Sequence, residues 1–333
     1  MSEAPQKFSV SVEEAGLRLD RFVSFHNPEL SRTRVQELVK AGLVLLNGKP
    51  AKDSHKVHAQ DIVEVIPAPR PALKAEAENI PLDVLYEDDD VLAINKPADM
   101  TVHAGAGTSH GTLVNALLGR GQALSTGGDP LRPGIVHRID KETSGIVLVA
   151  KNDFAHAKLS EAFRTRTIQK TYIALVQGLL KEDRGRIELP IARDPVRRNR
   201  MTARRAASLP NAREALTDWR VLARIDSTTL LEVQIHTGRT HQIRVHFSTL
   251  RHPVVGDTLY GASGQLHVGR TSLPSLHRNF LHAAKIAFAQ PRTNRPVQVT
   301  APLPVELRAF LEKLASATGE SSSRIDAALR GFL

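Results

Sequence analysis

The chain has 333 residues, 41% of them apolar, enough for one large domain and a small one. It contains no cysteine, which excludes a disulfide framework and a thiolate metal site. The net charge of +10 suits a polyanionic partner, and since residues 1–66 hold nine Lys/Arg and nine Asp/Glu, the whole excess lies beyond them. Met1 to Ser11 is polar and lacks an apolar signal core, and no run of about 18 apolar residues occurs, so the expectation is a soluble, cytoplasmic protein without a membrane segment.

In chain order, Arg18 to His26 reads as a short helix with Leu19, Phe22 and Val23 inward. Ser31 is placed to cap a second helix, Arg32 to Ala41, with Val35, Leu38 and Val39 on one face and Gly42 at its end. Leu43 to Leu46 and Asp61 to Ile66 are expected strands, with Asn47-Gly48 as a tight turn. This helix–helix–hairpin order, with Ser-Arg-Thr-Arg at the second helix and Asn-Gly-Lys at the turn, resembles an S4 RNA-binding domain. The resemblance implies that Arg32, Arg34, Lys40 and Lys49 face RNA phosphates, against a plain reading as surface charge. A first domain over 1–66 is followed by a linker, 67–80, which Pro67, Pro69 and Pro71 stiffen.

The main body is expected over 81–317. Val84 to Tyr86 and Val91 to Ile94 are strands around an acidic turn, and Thr112 to Leu118 is a helix. Gly105-Ala106-Gly107 lacks the spacing of a nucleotide-phosphate loop and reads as a plain loop. Next, Gly134 to Val149 places two apolar runs around a polar turn that carries one acid, Asp140. Both runs read as buried strands of a hairpin. A lone carboxylate at a strand end beside an arginine can present an ionised nucleophile; it can equally cap its own turn.

The string His137-Arg138-Ile139-Asp140-Lys141-Glu142-Thr143-Ser144-Gly145 resembles the HRxDxxTSG signature of the RluA/RluD-type pseudouridine synthases, with isoleucine where leucine is common before the aspartate. Further segments match the same family. Lys170-Thr171-Tyr172-Ile173-Ala174 lies in a predicted strand, Gln169 to Val176, with Lys170, Tyr172 and Ala174 on one face. Gly238 to His246, His252-Pro253 and Gly256-Asp257 match a later motif, on a predicted helix His241 to Leu250 that Thr240 opens. Between these segments runs an arginine cluster, Arg193, Arg197, Arg198, Arg200, Arg204, Arg205 and Arg213, opposed by Asp194 alone; it fits phosphate contact. Strands at Trp219 to Leu222, Thr229 to Ile235, Phe280 to Ala289 and Val297 to Thr300 and a helix at Pro304 to Ala315 complete the body. Residues 318–333 read as a small-polar linker and tail.

The resemblance implies an α+β catalytic domain on a mixed, mainly antiparallel sheet, preceded by an S4-like domain, which converts RNA uridine to pseudouridine. It implies Asp140 as the catalytic carboxylate, Arg244 as the arginine paired with it, and Tyr172 as the ring under the target base. Arg138 could fill the space of an extruded nucleotide, because a guanidinium plane stacks on bases. Arg197, Arg198 and Arg200, with the four residues of the first domain, are the expected RNA contacts. The isomerisation oxidises nothing and needs no cofactor or metal. The histidines at 236, 241, 246 and 252 lack both helical spacing and an acid among them for a metal site. The expected partner is large-subunit (23S) ribosomal RNA or an assembly intermediate, met by a monomer. Two rivals remain: a non-catalytic RNA-binding or ribosome-assembly factor, and a glycoside hydrolase, for which Glu142 is the only other acid in the turn.

Overall fold

The structure is a computed structural model that describes residues 5–27, 30, 32–66, 76–103, 108–125, 132–197, 199–204, 211–268 and 271–332. The chain divides into two compact units, Met1–Ala72 and Leu73–Leu333. In the first, α1 (Leu19–His26) and α2 (Arg32–Lys40) accompany a four-stranded antiparallel sheet. Its strands β1 (Gln6–Ser9), β2 (Val44–Leu46), β3 (Lys49–Pro50) and β4 (Ile62–Val65) lie in the order β1-β4-β2-β3. Leu19, Phe22 and Val23 recur at helical spacing and pack on Val35, Leu38, Val44 and Val63. Asn47 and Gly48 both take positive φ, 51° and 75°, as a two-residue turn between right-twisted strands requires. Strand β1 was not expected; with four residues and one bulky apolar side chain, it has too little alternation to read. Ser31 lies outside the described residues.

The second unit is built on a nine-stranded sheet. Its first strands are β5 (Asp83–Glu87), β6 (Val91–Lys96) and, beyond α3 (Leu113–Gly119), β7 (Ser144–Ala150). After α4 (Asp153–Arg164) come β8 (Gln169–Gln177), β9 (Arg184–Glu188) and the small pair β10 (Ile191–Arg193) and β11 (Met201–Ala203). Strands β12 (Leu216–Ile225) and β13 (Thr228–Ile235) lead into α5 (Gln242–Thr249). A short hairpin, β14 (His267–Val268) and β15 (Thr271–Ser272), precedes β16 (Leu281–Ala289), β17 (Pro296–Thr300) and α6 (Val305–Ala317). The order is β5-β6-β7-β16-β8-β13-β12-β9, with β17 on β16. Every pairing is antiparallel except β7 with β16.

That single parallel pair positions the site. His282 lies opposite Ser144, so the turn before β7 and the loop before β16 emerge side by side at the same end of the sheet. All seven residues of β7 are buried, with Val147 and Val149 in one core cluster and Ile146 and Leu148 in another. Gly145 has φ +111°, and a Cβ there would come 2.3 Å from the Ala283 carbonyl oxygen, so close approach of the two strands demands glycine.

Three elements differ from the sequence reading. Residues 136–140 are not a strand: Ile135 bridges Val149, and then the chain leaves the ladder. The His137 ring takes the place of a strand carbonyl, its Nε2 accepting the Leu148 N–H at 2.8 Å. Helix α5 begins at Gln242, not His241, and Thr240 does not cap it; His241 stands before it in the left-handed region, φ 55°. The Gln242 amide oxygen instead accepts the Arg239 N–H and the Thr237 hydroxyl. The residues read as a tail fold into α7 (Ser322–Leu329), capped by Ser321, with Ile325, Leu329 and Phe332 in the main core. The small polar residues before it are a helix stop and the next helix's cap rather than a linker: Gly319 has φ 72°, and Ser321 accepts from the Ser323 N–H.

Candidate active site

A cleft opens beside the start of β7, lined by Arg138, Asp140, Thr143, Tyr172, His241 and Arg244, among others. Three segments supply them: the turn before β7, strand β8, and α5 with the residue before it. The sequence candidates Asp140, Arg244, Tyr172 and Arg138 therefore share one cavity, although they are scattered along the chain from position 138 to position 244.

Arg244 Nη1 donates to Asp140 Oδ2 at 3.3 Å. The stronger contacts of Arg244 run elsewhere. Its Nε donates to Asp257 Oδ2 at 2.6 Å and its Nη2 to Asp257 Oδ1 at 2.9 Å, a bidentate pair in which both side chains are buried. Its guanidinium also lies over the Tyr260 ring, 5.1 Å from the centroid. Burial opposes the charge on Arg244, but hydrogen bonding and the negative charge of Asp257, with Asp140 behind them, outweigh it and hold the guanidinium above its ordinary pKa. A permanently charged, immobilised cation thus faces the carboxylate of Asp140, which is 18% exposed toward the cleft.

Tyr172 is buried in β8 between Val233 of β13 and Ala283 of β16. Burial first and the charge of Asp140 second push its phenol well above the usual range, so it stays protonated at neutral pH. It can offer a ring but not a phenolate base. The Tyr260 hydroxyl accepts the Met201 N–H and lies 2.8 Å from His241 Nδ1, a hydrogen bond whose direction depends on the histidine tautomer. Burial is the main force pulling His241 below its ordinary pKa. The Thr143 hydroxyl is buried in the cleft wall with no hydrogen-bond partner among the described residues. Arg138 is exposed at the rim.

The turn that carries Asp140 is tied from below. Lys96, fully buried at the end of β6, donates to the carbonyls of Pro97, Met100 and Lys141 at 2.6, 2.8 and 3.1 Å. Burial and then Arg278 pull its pKa down to about 7, against Asp140 and Asp99. Asn279 donates to Glu142 at 3.1 Å, and Arg278 to the Ser144 hydroxyl at 2.9 Å. Sequence reasoning assigned no role to Lys96, Asp257 or Tyr260. Gly256-Asp257 stood within a recognised motif, so the acid was visible there; only its contact with Arg244 was not.

The expected RNA contacts are more dispersed. Lys40 and Lys49 are exposed in the first unit, and Arg32 and Arg34 lie in the first turn of α2, their side chains outside the described residues. Arg197 is exposed, Arg198 is outside the described residues, and Arg200 is half-buried. Arg200 Nε lies 3.2 Å from Asp194 Oδ2, an ion pair without hydrogen-bond alignment, and its guanidinium covers the Tyr260 ring at 5.5 Å. The four histidines bond to separate partners: Asp218, Tyr260, Thr217 with Leu189, and Gln177. Among the described residues no helix is long and apolar enough to cross a membrane.

Residues 90–249 match the RNA pseudouridylate synthase family, and residues 17–63 match the S4 domain. The chain is 41% identical over 307 residues to an uncharacterized RNA pseudouridine synthase of Bacillus subtilis, covering 92% of this chain and 97% of that one. It is 40% identical over 315 residues to ribosomal large subunit pseudouridine synthase D of Xanthomonas campestris, covering 93% and 91%. Among solved structures, human RNA pseudouridylate synthase domain containing 1 aligns with a TM-score of 0.55 and 29% identity, over 76% of this chain and 96% of that one. With a matched catalytic domain, a matched S4 domain and relatives aligned over nearly their full length, this chain belongs to the RNA pseudouridine synthases, a family of isomerases.

Proposed function

We propose that the chain isomerises uridine to pseudouridine in large-subunit ribosomal RNA, with Asp140 as the nucleophile. The observation that carries this reading is the Asp140 carboxylate in an open cleft, 3.3 Å from a buried arginine whose other bonds hold it in place. When an incoming base expels water, covering a carboxylate is costly; a fixed guanidinium beside it offsets part of that cost. On this reading the target uridine leaves its stack to reach this cleft. Extrusion costs a few kcal/mol, offset by Arg138 in the vacated stack and by phosphate contacts on the basic surface. The Tyr172 ring is the platform for the uracil as its bond from ribose to nitrogen breaks, the ring turns, and a bond from ribose to carbon forms. No atom enters or leaves. The ribosomal target is supported by relatives named ribosomal large subunit pseudouridine synthase D and by the N-terminal S4 domain.

The test uses purified wild type and Asp140→Asn on unmodified 23S ribosomal RNA. Wild type is expected to form pseudouridine and the near-isosteric variant to form none, while both bind the RNA. Conversion by the variant sinks the nucleophile assignment, and release of free uracil by wild type favours a hydrolase. Mapping pseudouridine in ribosomal RNA from cells lacking the chain identifies the sites.

A further inference from the structure

A second cleft adjoins the first, and Arg138, Tyr172, Gly238 and Arg239 line both. Five Lys/Arg side chains line it, Arg138, Arg164, Arg166, Lys170 and Arg239, and among the described residues no carboxylate does. Most have partners. Arg164 is held by Glu161 at 2.7 and 2.5 Å, Arg166 lies 3.6 Å from Glu214, and Arg239 donates to the Glu214 carbonyl at 3.0 Å. The Lys170 ammonium has no hydrogen bond or ion pair among the described residues, although it is largely withdrawn from water. We propose that this cleft is a subsite for one phosphodiester of the RNA strand next to the target uridine, bound by Lys170 with Arg239 and Arg166. The inference rests on the reading of the first cleft as the uridine site.

Geometry aims the ammonium at the cleft. Lys170 shares a face of β8 with Tyr172, so the strand that holds the uracil platform also holds this cation two residues away. Its Nζ stands over the Phe163 ring at 5.7 Å, and Phe163 stacks on His137 at 4.5 Å. From the other side, a Cβ on Gly238 would be 3.8 Å from Nζ, so the absent side chain leaves the ammonium open where the two clefts meet. Burial pulls Lys170 down to about 8, and burial with the neighbouring Arg213 and Arg166 lowers Arg239. Like charges held together at this cost are relieved by one anion among them. A phosphodiester is the anion that an RNA strand necessarily carries beside an extruded nucleotide.

The test compares Lys170→Gln and Lys170→Arg in the full chain, with unmodified 23S transcript as the probe and thermal melting as the fold check. Lys170→Gln is expected to raise KM about tenfold and to flatten its salt dependence by about one charge; Lys170→Arg restores both. Phosphate-ethylation interference supplies a readout that a packing role does not move. Wild type is expected to be blocked by ethylation at a phosphate within about three nucleotides of the target, and Lys170→Gln to lose that block alone. An unchanged interference pattern overturns the subsite, as does an unchanged KM. Because interference needs only binding, a wild type that binds but forms no pseudouridine counts against the Asp140 reading and not against this one.

Discussion

On the floor of the first cleft, Arg244 meets two carboxylates and an aromatic face; in the adjoining cleft, Lys170 is also withdrawn from water and meets no carboxylate among the described residues. Both are cations placed where water is scarce. The floor is complete before any substrate arrives, so its geometry is set by the protein. In the side cleft Arg164 and Arg166 have carboxylate partners, and among the described residues the Lys170 ammonium has none; the proposed phosphodiester is what would complete it. Preorganised charge suits the reacting centre, where reorganisation would add to the barrier, and unpaired charge suits a surface that must recognise a polyanion.

The largest effects should come from dismantling the floor. Arg244→Gln leaves Asp257 buried and unpaired, so it should cost about 3–5 kcal/mol of stability as well as activity. Asp257→Asn is the sharper variant, because it keeps shape and removes the charge that holds Arg244. It should lower kcat on the order of 100-fold with KM little changed, measured by single-turnover pseudouridine formation; an unchanged kcat would show that Asp140 needs no braced partner. Tyr172 ranks next. If its ring alone matters, Tyr172→Phe keeps kcat within about threefold while Tyr172→Leu loses at least about tenfold; equal losses would mean that the hydroxyl takes part.

Acid should expose a smaller, structural difference. Burial holds His282 near a pKa of about 4 and His137 near about 3, both below the ordinary value of 6.5 that the unfolded chain keeps. The unfolded chain therefore takes up these protons first as pH falls. Stability present above about pH 6.5 is lost below it, by roughly 2 kcal/mol for each group by about pH 5. Thermal melts across that range check the sign. The smallest effects belong to the first unit: Lys40→Ala or Lys49→Ala should each weaken RNA binding only about two- to threefold, with a slightly flatter salt dependence, as exposed and isolated phosphate contacts do.

Much of the candidate site could be proposed from the letters, for reasons that differ by residue. Asp140 stood alone in a polar turn between apolar runs, and Tyr172 and Arg244 stood in strings that resemble the same family. Lys170 could be placed on the face of Tyr172 by alternation, but the lack of a charged partner for its ammonium among the described residues depends on where Glu161 and Glu214 spend their charge. The strand expected over residues 136–140 failed because a histidine ring can supply the acceptor that a ladder carbonyl normally supplies, and periodicity does not register that exchange. The last helix was hidden because cap residues and linker residues have the same composition.

By itself, then, the order of residues determined the local elements: helices with apolar stripes, strands with buried runs, the Asn47-Gly48 turn, and a carboxylate presented by a short polar loop. These depend on contacts between near neighbours, which spacing encodes. Only the tertiary structure decided that β7 and β16 run parallel, that Asp257 takes two bonds of Arg244 and leaves one direction for Asp140, and that Lys170 faces a cleft without an acid among its described residues. Each of those joins residues far apart in the chain, where the partner is selected by packing of the whole sheet and not by any pattern within a segment.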